Sequence, residues 1–174
     1  MHTALAMTLA DFTAPGLIVP HLRGRDVAGV IQELSEALRK ERRVPDLPGF
    51  CQAALNRERL VSTDTEGGMA FPHARLGNLV ELSFALGRTD RPLAWRAGAA
   101  ESVRFVFLIA VPATESAQYL QLISGLVRLA KDAAAMEALG SAPDVEQLFQ
   151  VLSRAGVRNS LDAGGTAMGG SARQ

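Results

Sequence analysis

The chain of 174 residues carries 18 Lys and Arg against 18 Asp and Glu, so it has no net charge at neutral pH. A chain without a net field of either sign is not drawn to nucleic acid or to an anionic membrane surface. Its length suits one domain with a sizeable core, and its single cysteine excludes an internal disulfide.

The first part of the chain predicts a short strand followed by two helices. The apolar run 17–19 is a strand candidate, and Asp26 can cap a helix that ends near Arg42. Asp46, followed by Pro48, marks a second helix start. The predicted inward residues are Val27, Val30, Ile31, Leu34 and Leu38 in the first helix and Phe50, Ala54 and Leu55 in the second, whose last turn holds Arg57, Glu58 and Arg59.

Strands dominate the middle of the chain. A loop containing Ser62, Thr63 and Gly67 leads to a short strand that ends at His73. Apolar residues then alternate with small or polar ones from 80 to 87, which predicts a strand with one buried face. The run 103–111 is almost wholly apolar, which is typical of a central strand covered on both faces.

Three helices are predicted after Pro112. Thr114 and Ser116 can cap the first, Asp132 and Gly140 bracket a shorter one, and a last helix runs from Asp144 to Gly156. The predicted inner stripe of the first of these helices is Leu120, Ile123, Leu126, Val127 and Ala130. The pattern predicts a single-domain α/β sandwich over residues 1–156, with a central mixed sheet flanked by helices on both faces. Residues 157–174 are rich in Gly, Ala and Ser and predict a flexible tail.

Metal and membrane sites find little support in the sequence. The three histidines stand apart at 2, 21 and 73, without the paired spacing of a metal site. No stretch reaches the roughly 20 apolar residues that a membrane span needs. We expect a soluble protein of a reducing compartment such as the cytoplasm, and no metal.

His73 is the strongest candidate for chemistry. It stands in the segment GGMAFPHARL, with two glycines upstream, a proline before it and Arg75 two residues later. An imidazole titrates near neutrality, so one ring nitrogen can attack as a nucleophile or move a proton. The context sets His73 apart from His21, which also follows a proline.

The segment GGMAFPHAR, the strand FVFLIAVP and the helix SAQYLQLISGLVRLAKD together resemble a known family. They are similar to the enzyme IIA domain of the fructose and mannitol type (type 2) in the bacterial phosphoenolpyruvate-dependent phosphotransferase system. The stand-alone nitrogen-regulatory IIA proteins are the members that the chain resembles most. The resemblance runs from about residue 9 to 152, and includes the pairs Arg57-Glu58 and Ser62-Thr63.

The resemblance implies that His73 accepts a phosphoryl group from the carrier protein HPr or its nitrogen-branch paralogue. The group would pass to a IIB partner or serve as a regulatory signal, which makes the chain a phosphotransferase component. Arg57 matches an arginine that the family keeps beside the acceptor. Tyr119 stands where the family has a second histidine. The resemblance implies no cofactor, and it leaves a homodimer and the identity of the sugar open.

The chemistry of these residues fits a phosphoryl site. Arg57 offers a planar cation that can hold two phosphoryl oxygens, although it could instead favour the dipole at the end of its helix. Tyr119 could donate to the phosphate or be an aromatic residue at the edge of the core. A neutral donor in place of an imidazolium weakens the contact by about 1 to 2 kcal/mol, or roughly tenfold in rate.

Three functions remain open at this stage. The first is a phosphohistidine carrier, and the second is a regulatory binding module that is poorly phosphorylated because of Tyr119. The third is an unrelated hydrolase or transferase with His73 as general base. The chain has no Gly-x-Ser-x-Gly turn, and its lone Cys51 lies in a predicted helix, so the third function lacks a nucleophile.

Overall fold

The computed structural model describes residues 7–157, which fold into helices packed on both faces of one sheet. Two 3-10 turns, Leu9–Phe12 and Pro15–Leu17, precede the first strand. The helices are α1 (Val27–Lys40), α2 (Leu47–Leu60), α3 (Ala117–Lys131), α4 (Ala133–Ser141) and α5 (Val145–Arg154). The predicted α/β class is confirmed.

The sheet is mixed and open. Its strands are β1 (Ile18–Val19), β2 (Met69–Ala70), β3 (His73–Leu76), β4 (Ser83–Ala94) and β5 (Glu101–Pro112). The long strands β4 and β5 pair antiparallel, and β1 adds to β4 in parallel. Strands β2 and β3 both pair in parallel with β5, one after the other along its length. Strand β5 is therefore the central strand that its apolar sequence predicts.

Alternate residues of β5 face two separate cores. Phe107 and Ile109 point to a core closed by α3, α4 and α5, whereas Val106 and Leu108 point to a core closed by α1 and α2. This alternation follows from the two-residue period of a strand. Both faces are covered, as the uninterrupted apolar run indicates.

The predicted helix starts are mostly confirmed. Asp26, Asp46, Asp132 and Asp144 each accept a hydrogen bond from the backbone N–H three residues later, at 2.7–3.1 Å. These bonds satisfy amide groups that have no partner inside the helix. Helix α4 runs through the glycine expected to end it, and ends at Ser141.

The strand predicted from residue 80 is wrong in its start and in its burial. Strand β4 begins at Ser83, and Val80 is 95% exposed. The small residues were interpreted as a solvent face, yet Ser83, Ala85 and Gly87 are buried. Small side chains admit close packing: a Cβ on Gly87 would lie only 2.6 Å from the side chain of Leu22. Both faces of β4 are therefore covered.

The predicted inner stripe of α3 is partly wrong. Leu120 is 64% exposed and Val127 is 39% exposed. The buried stripe consists of Leu122, Gly125, Leu126 and Leu129, with only Leu126 in common. The two apolar stripes have the same spacing along the helix, so periodicity alone could not choose between them.

Residue 157 is the last described residue of the chain. Val157 is buried, and its N–H donates to the carbonyl of Met7 at 2.8 Å. The tail predicted over 157–174 otherwise lies outside the described residues. Within residues 7–157, no helix is both long and apolar enough to span a bilayer.

Candidate functional site

His73 begins β3, just after a break in the pairing along β5. Strand β2 ends at Ala70, and pairing resumes with His73 opposite Ile109. Phe71 and Pro72 occupy the break, and Pro72 has no N–H to donate. The prediction that His73 ends a strand is wrong, because the proline interrupts the ladder before the histidine.

The ring of His73 is held by one backbone contact. Its Nδ1 lies 3.2 Å from the carbonyl oxygen of Phe71. A carbonyl only accepts, so Nδ1 carries the proton in this contact and the lone pair of a neutral ring is on Nε2. The acceptor was expected in the loop after Pro72, but it precedes the proline. The break in the ladder brings this carbonyl to the ring.

Three separate elements bring side chains to a cavity beside His73. The cavity has a volume of about 350 Å³ and is lined by Ala53 and Arg57 of α2, His73, Ala74 and Arg75 of β3, and Tyr119 of α3. The three residues predicted for the site therefore meet at one place. A larger cleft of about 710 Å³ is lined by Glu58, Arg59 and Trp95 among others, but its walls include no histidine.

Arg57 lies in the last turn of α2. One terminal nitrogen, Nη1, donates to the carbonyl of Val61 at 3.0 Å. A guanidinium has five N–H donors, so this bond orients the group and leaves others for a ligand. The contact also ties the guanidinium to the end of its own helix, so the structural role and the role in the site are compatible.

Tyr119 lies in the first turn of α3 and packs between two cavity residues. Its ring centroid is 5.8 Å from that of His73 and 5.3 Å from the guanidinium carbon of Arg75. Arg75 was interpreted as a solvated charge at the rim. It is exposed, but its Nη1 donates to the carbonyl of Glu115 in the loop before α3. Arg75 thus fastens β3 to the start of α3 and holds Tyr119 against the histidine.

The electrostatics of the cavity favour a neutral imidazole and a neutral phenol. Burial lowers the pKa of His73, and the nearby charges of Arg57 and Arg75 act in the same direction. The bond to Phe71 and the charge of Glu58 raise the pKa of His73 and oppose this effect in part. Burial raises the pKa of Tyr119, so its hydroxyl keeps its proton near neutral pH. The site therefore offers a nucleophilic nitrogen, two cations and a hydroxyl donor.

Sequence reasoning missed a buried carboxylate behind the site. Glu58 is only 6% exposed and accepts hydrogen bonds from Thr63 and Trp95. The Arg57-Glu58 and Ser62-Thr63 pairs signalled the region, but Trp95 lies too far along the chain for any local pattern to link it. Phe71, Trp95 and Cys51 are buried, as predicted.

Comparison with known proteins identifies the family. Residues 11–155 match the model of the family described as phosphoenolpyruvate-dependent sugar phosphotransferase system, EIIA 2. A nitrogen regulatory protein of Bradyrhizobium diazoefficiens is 28% identical over 147 residues, which cover 84% of this chain and 95% of that protein.

Solved structures share the fold. The nitrogen regulatory protein IIA-Ntr of Neisseria meningitidis superimposes with a TM-score of 0.70 at 22% identity, over 83% of this chain and 98% of that one. The mannitol enzyme IIA of Escherichia coli, in a complex with phosphorylated enzyme IIB, superimposes with a TM-score of 0.67 at 20% identity, over 80% and 95%. With the family match over most of its length, the chain belongs to the EIIA type 2 family of the phosphoenolpyruvate-dependent sugar phosphotransferase system.

Proposed function

We propose that the chain is a phosphohistidine carrier in which His73 accepts the phosphoryl group. The observation that carries the proposal is the meeting of His73, Arg57 and Tyr119 at one cavity, with Nδ1 of His73 bonded to a carbonyl. Family membership supports a phosphocarrier or regulatory role. The residue assignments rest on the geometry.

In the proposed reaction, Nε2 of His73 attacks the phosphorus of a phosphohistidine on the donor protein. The bond between the donor nitrogen and phosphorus breaks as the bond to Nε2 forms, and the donor ring recovers its lone pair. Nδ1 keeps its proton throughout, and the Phe71 carbonyl stabilises the positive charge that develops on the ring. The protein contributes mainly alignment and charge stabilisation.

Arg57 and Tyr119 act on the phosphoryl oxygens in this proposal. The guanidinium of Arg57 can bond two oxygens at once, which a lysine would do with less geometric control. The Tyr119 hydroxyl supplies a neutral donor, and its place in the first turn of α3 puts it near the positive end of the helix dipole. Arg75 adds charge at the rim.

Exposed apolar residues beside the cavity support protein partners. Leu60 is 80% exposed and Val61 is 66% exposed at the end of α2, next to Arg57. Leu120, 64% exposed, follows Tyr119. Such residues suit docking of a phosphodonor, HPr or its nitrogen-branch paralogue, and of a IIB protein or regulatory target as acceptor. A mannitol IIA of the same fold has been solved with phosphorylated IIB.

A second function is favoured by Tyr119 itself. The ring is half-buried and stacked under Arg75, and a phenol cannot supply the charge of an imidazolium. A regulatory module that keeps the fold but is poorly phosphorylated fits this observation. For such a module, replacing His73 by alanine leaves binding of the partner unchanged.

Intact-mass analysis after incubation with phosphoenolpyruvate, enzyme I and HPr separates the two functions. We expect an acid-labile gain of one phosphoryl group in the native chain and none in His73→Ala. His21→Ala is the matched control, because that histidine also follows a proline but is exposed and pairs with Asp90. No gain in the native chain would contradict the carrier function, and a gain restored by Tyr119→His would favour the regulatory module.

A further inference from the structure

Glu58 is a buried carboxylate with a full set of donors. Its Oε1 accepts from the Trp95 indole at 2.7 Å and from the Thr63 N–H at 2.7 Å. The Thr63 hydroxyl lies 3.0 Å from Oε1 and 2.9 Å from Oε2. A buried charge is costly unless it is bonded in this way, so the contacts fix the position of the carboxylate.

Thr63 links this carboxylate to the backbone beside His73. Its Oγ1 accepts from the N–H of Phe71 at 3.0 Å. A hydroxyl that faces a carboxylate donates its only proton there, so the direction of the bonds runs from Phe71 to Thr63 to Glu58. Consecutive bonds of one direction polarise one another and strengthen the set.

Phe71 is the residue whose orientation decides the state of His73. It lies in the break between β2 and β3, where the sheet ladder is interrupted. Its N–H bonds Thr63 and its carbonyl accepts from Nδ1 of His73. Thr63 therefore takes the place of a missing ladder partner and sets the direction of the carbonyl that holds the imidazole.

We propose that Glu58 and Thr63 are positioning residues that hold His73, through Phe71, in the tautomer with the lone pair on Nε2. Trp95 anchors the carboxylate from β4–β5 side of the fold, since it follows the end of β4 directly. A role in the reaction presupposes the phosphoryl transfer proposed above. The tautomer itself can be measured without any phosphoryl donor.

Three variants test the assignment. Thr63→Val keeps the shape of the side chain but removes the hydroxyl, and Thr63→Ser restores it. Ser62→Ala is the matched control, because Ser62 also approaches Glu58, at 3.4 Å, but bonds Asp64 at 2.6 Å and has no part in the contact to Phe71. Circular dichroism checks that each variant is folded, and Glu58→Gln replaces Thr63→Val should the latter unfold.

The first readout is the nitrogen chemical shifts of the His73 ring in the unphosphorylated protein, followed across pH. We expect the Nε2 lone-pair tautomer to dominate in the native chain, in Ser62→Ala and in Thr63→Ser. Thr63→Val should shift the ring toward the other tautomer. An unchanged tautomer and an unchanged pH midpoint in folded Thr63→Val would overturn the proposal.

The second readout is the rate of phosphorylation at saturating donor. Loss of one neutral hydrogen bond predicts a fall of about fivefold in Thr63→Val, with KM unchanged and with recovery in Thr63→Ser. A native chain that is never phosphorylated would refute the proposed function, while the tautomer measurement would still decide the positioning role. An equal loss of rate in Ser62→Ala would contradict it.

Discussion

Replacing Tyr119 by histidine tests whether position 119 contacts the phosphoryl group. The Tyr119 ring lies 5.8 Å from the His73 ring and lines the same cavity. An imidazole there falls within reach of a phosphoryl group on Nε2 of His73. When protonated, it donates a charged hydrogen bond in place of a neutral one.

The expected gain follows from the difference between these two donors. A charged hydrogen bond contributes about 1.5 to 3 kcal/mol, and a neutral one about 0.5 to 1.5. Losing the stack of Arg75 on the phenol, 5.3 Å from the ring centre, offsets about 0.5 to 1 kcal/mol of this gain. The net gain of roughly 1 kcal/mol predicts phosphorylation about fivefold faster. The gain should be greater in mildly acidic buffer, where more of the new imidazole is protonated.

Rapid-quench single turnovers with saturating labelled phosphodonor measure the rate. Tyr119→Phe is the matched control, since it keeps the ring under Arg75 and removes the hydroxyl. It should be slower than the native chain by about threefold, the value of one neutral hydrogen bond. If Tyr119→Phe reacts at the native rate and Tyr119→His is no faster, then position 119 does not touch the phosphoryl group and the reasoning is refuted.

Three further predictions concern charge, pH and packing. Arg57→Ala should slow phosphorylation at least tenfold and Arg57→Lys by about fivefold, because a lysine keeps the charge but not the paired bonds, while the exposed Arg59→Ala should change the rate less than about twofold. The lowered pKa of His73 means that the unfolded chain binds a proton first as pH falls, so this residue's contribution to stability is lost from about pH 6.5 down to the folded pKa, as urea unfolding across pH can measure. Gly24→Ala should lower the free energy of unfolding by about 1 to 3 kcal/mol, because its Cβ would lie 2.6 Å from backbone atoms of α1, whereas Gly77→Ala, with nothing within 4 Å, is the control for the same urea measurement.

Each of these predictions has a contradicting result. Equal rates for native chain and Arg57→Ala would remove Arg57 from the site. Stability that rises as pH falls below neutral would contradict the depressed pKa of His73. A Gly24→Ala variant as stable as Gly77→Ala would mean that the loop before α1 relaxes without cost.

The elements with a local chemical signal could be predicted from the sequence. Asp26 and Asp46 announce helix starts because an aspartate oxygen can bond a free helix amide, and the structure shows those bonds. The run 103–111 announces a strand covered on both faces, and β5 fulfils it. Such signals depend on neighbours in the chain, which the sequence displays directly.

Signals that depend on contacts between distant segments were lost. The two apolar stripes of α3 are equivalent until the helix docks, so Leu120 was expected inside and is exposed. The small residues of β4 looked like a polar face until the packing of Leu22 onto Gly87 was seen. Trp95 reaches Glu58 from 37 positions away.

The most direct test of the central claim is to locate the phosphoryl group by nuclear magnetic resonance. The protein would be labelled with nitrogen-15 in its histidines and phosphorylated through the phosphodonor. The proposed mechanism predicts a phosphorus–nitrogen coupling to Nε2 of His73, with the proton retained on Nδ1. A phosphoryl group on Nδ1, on another residue or on none would contradict it.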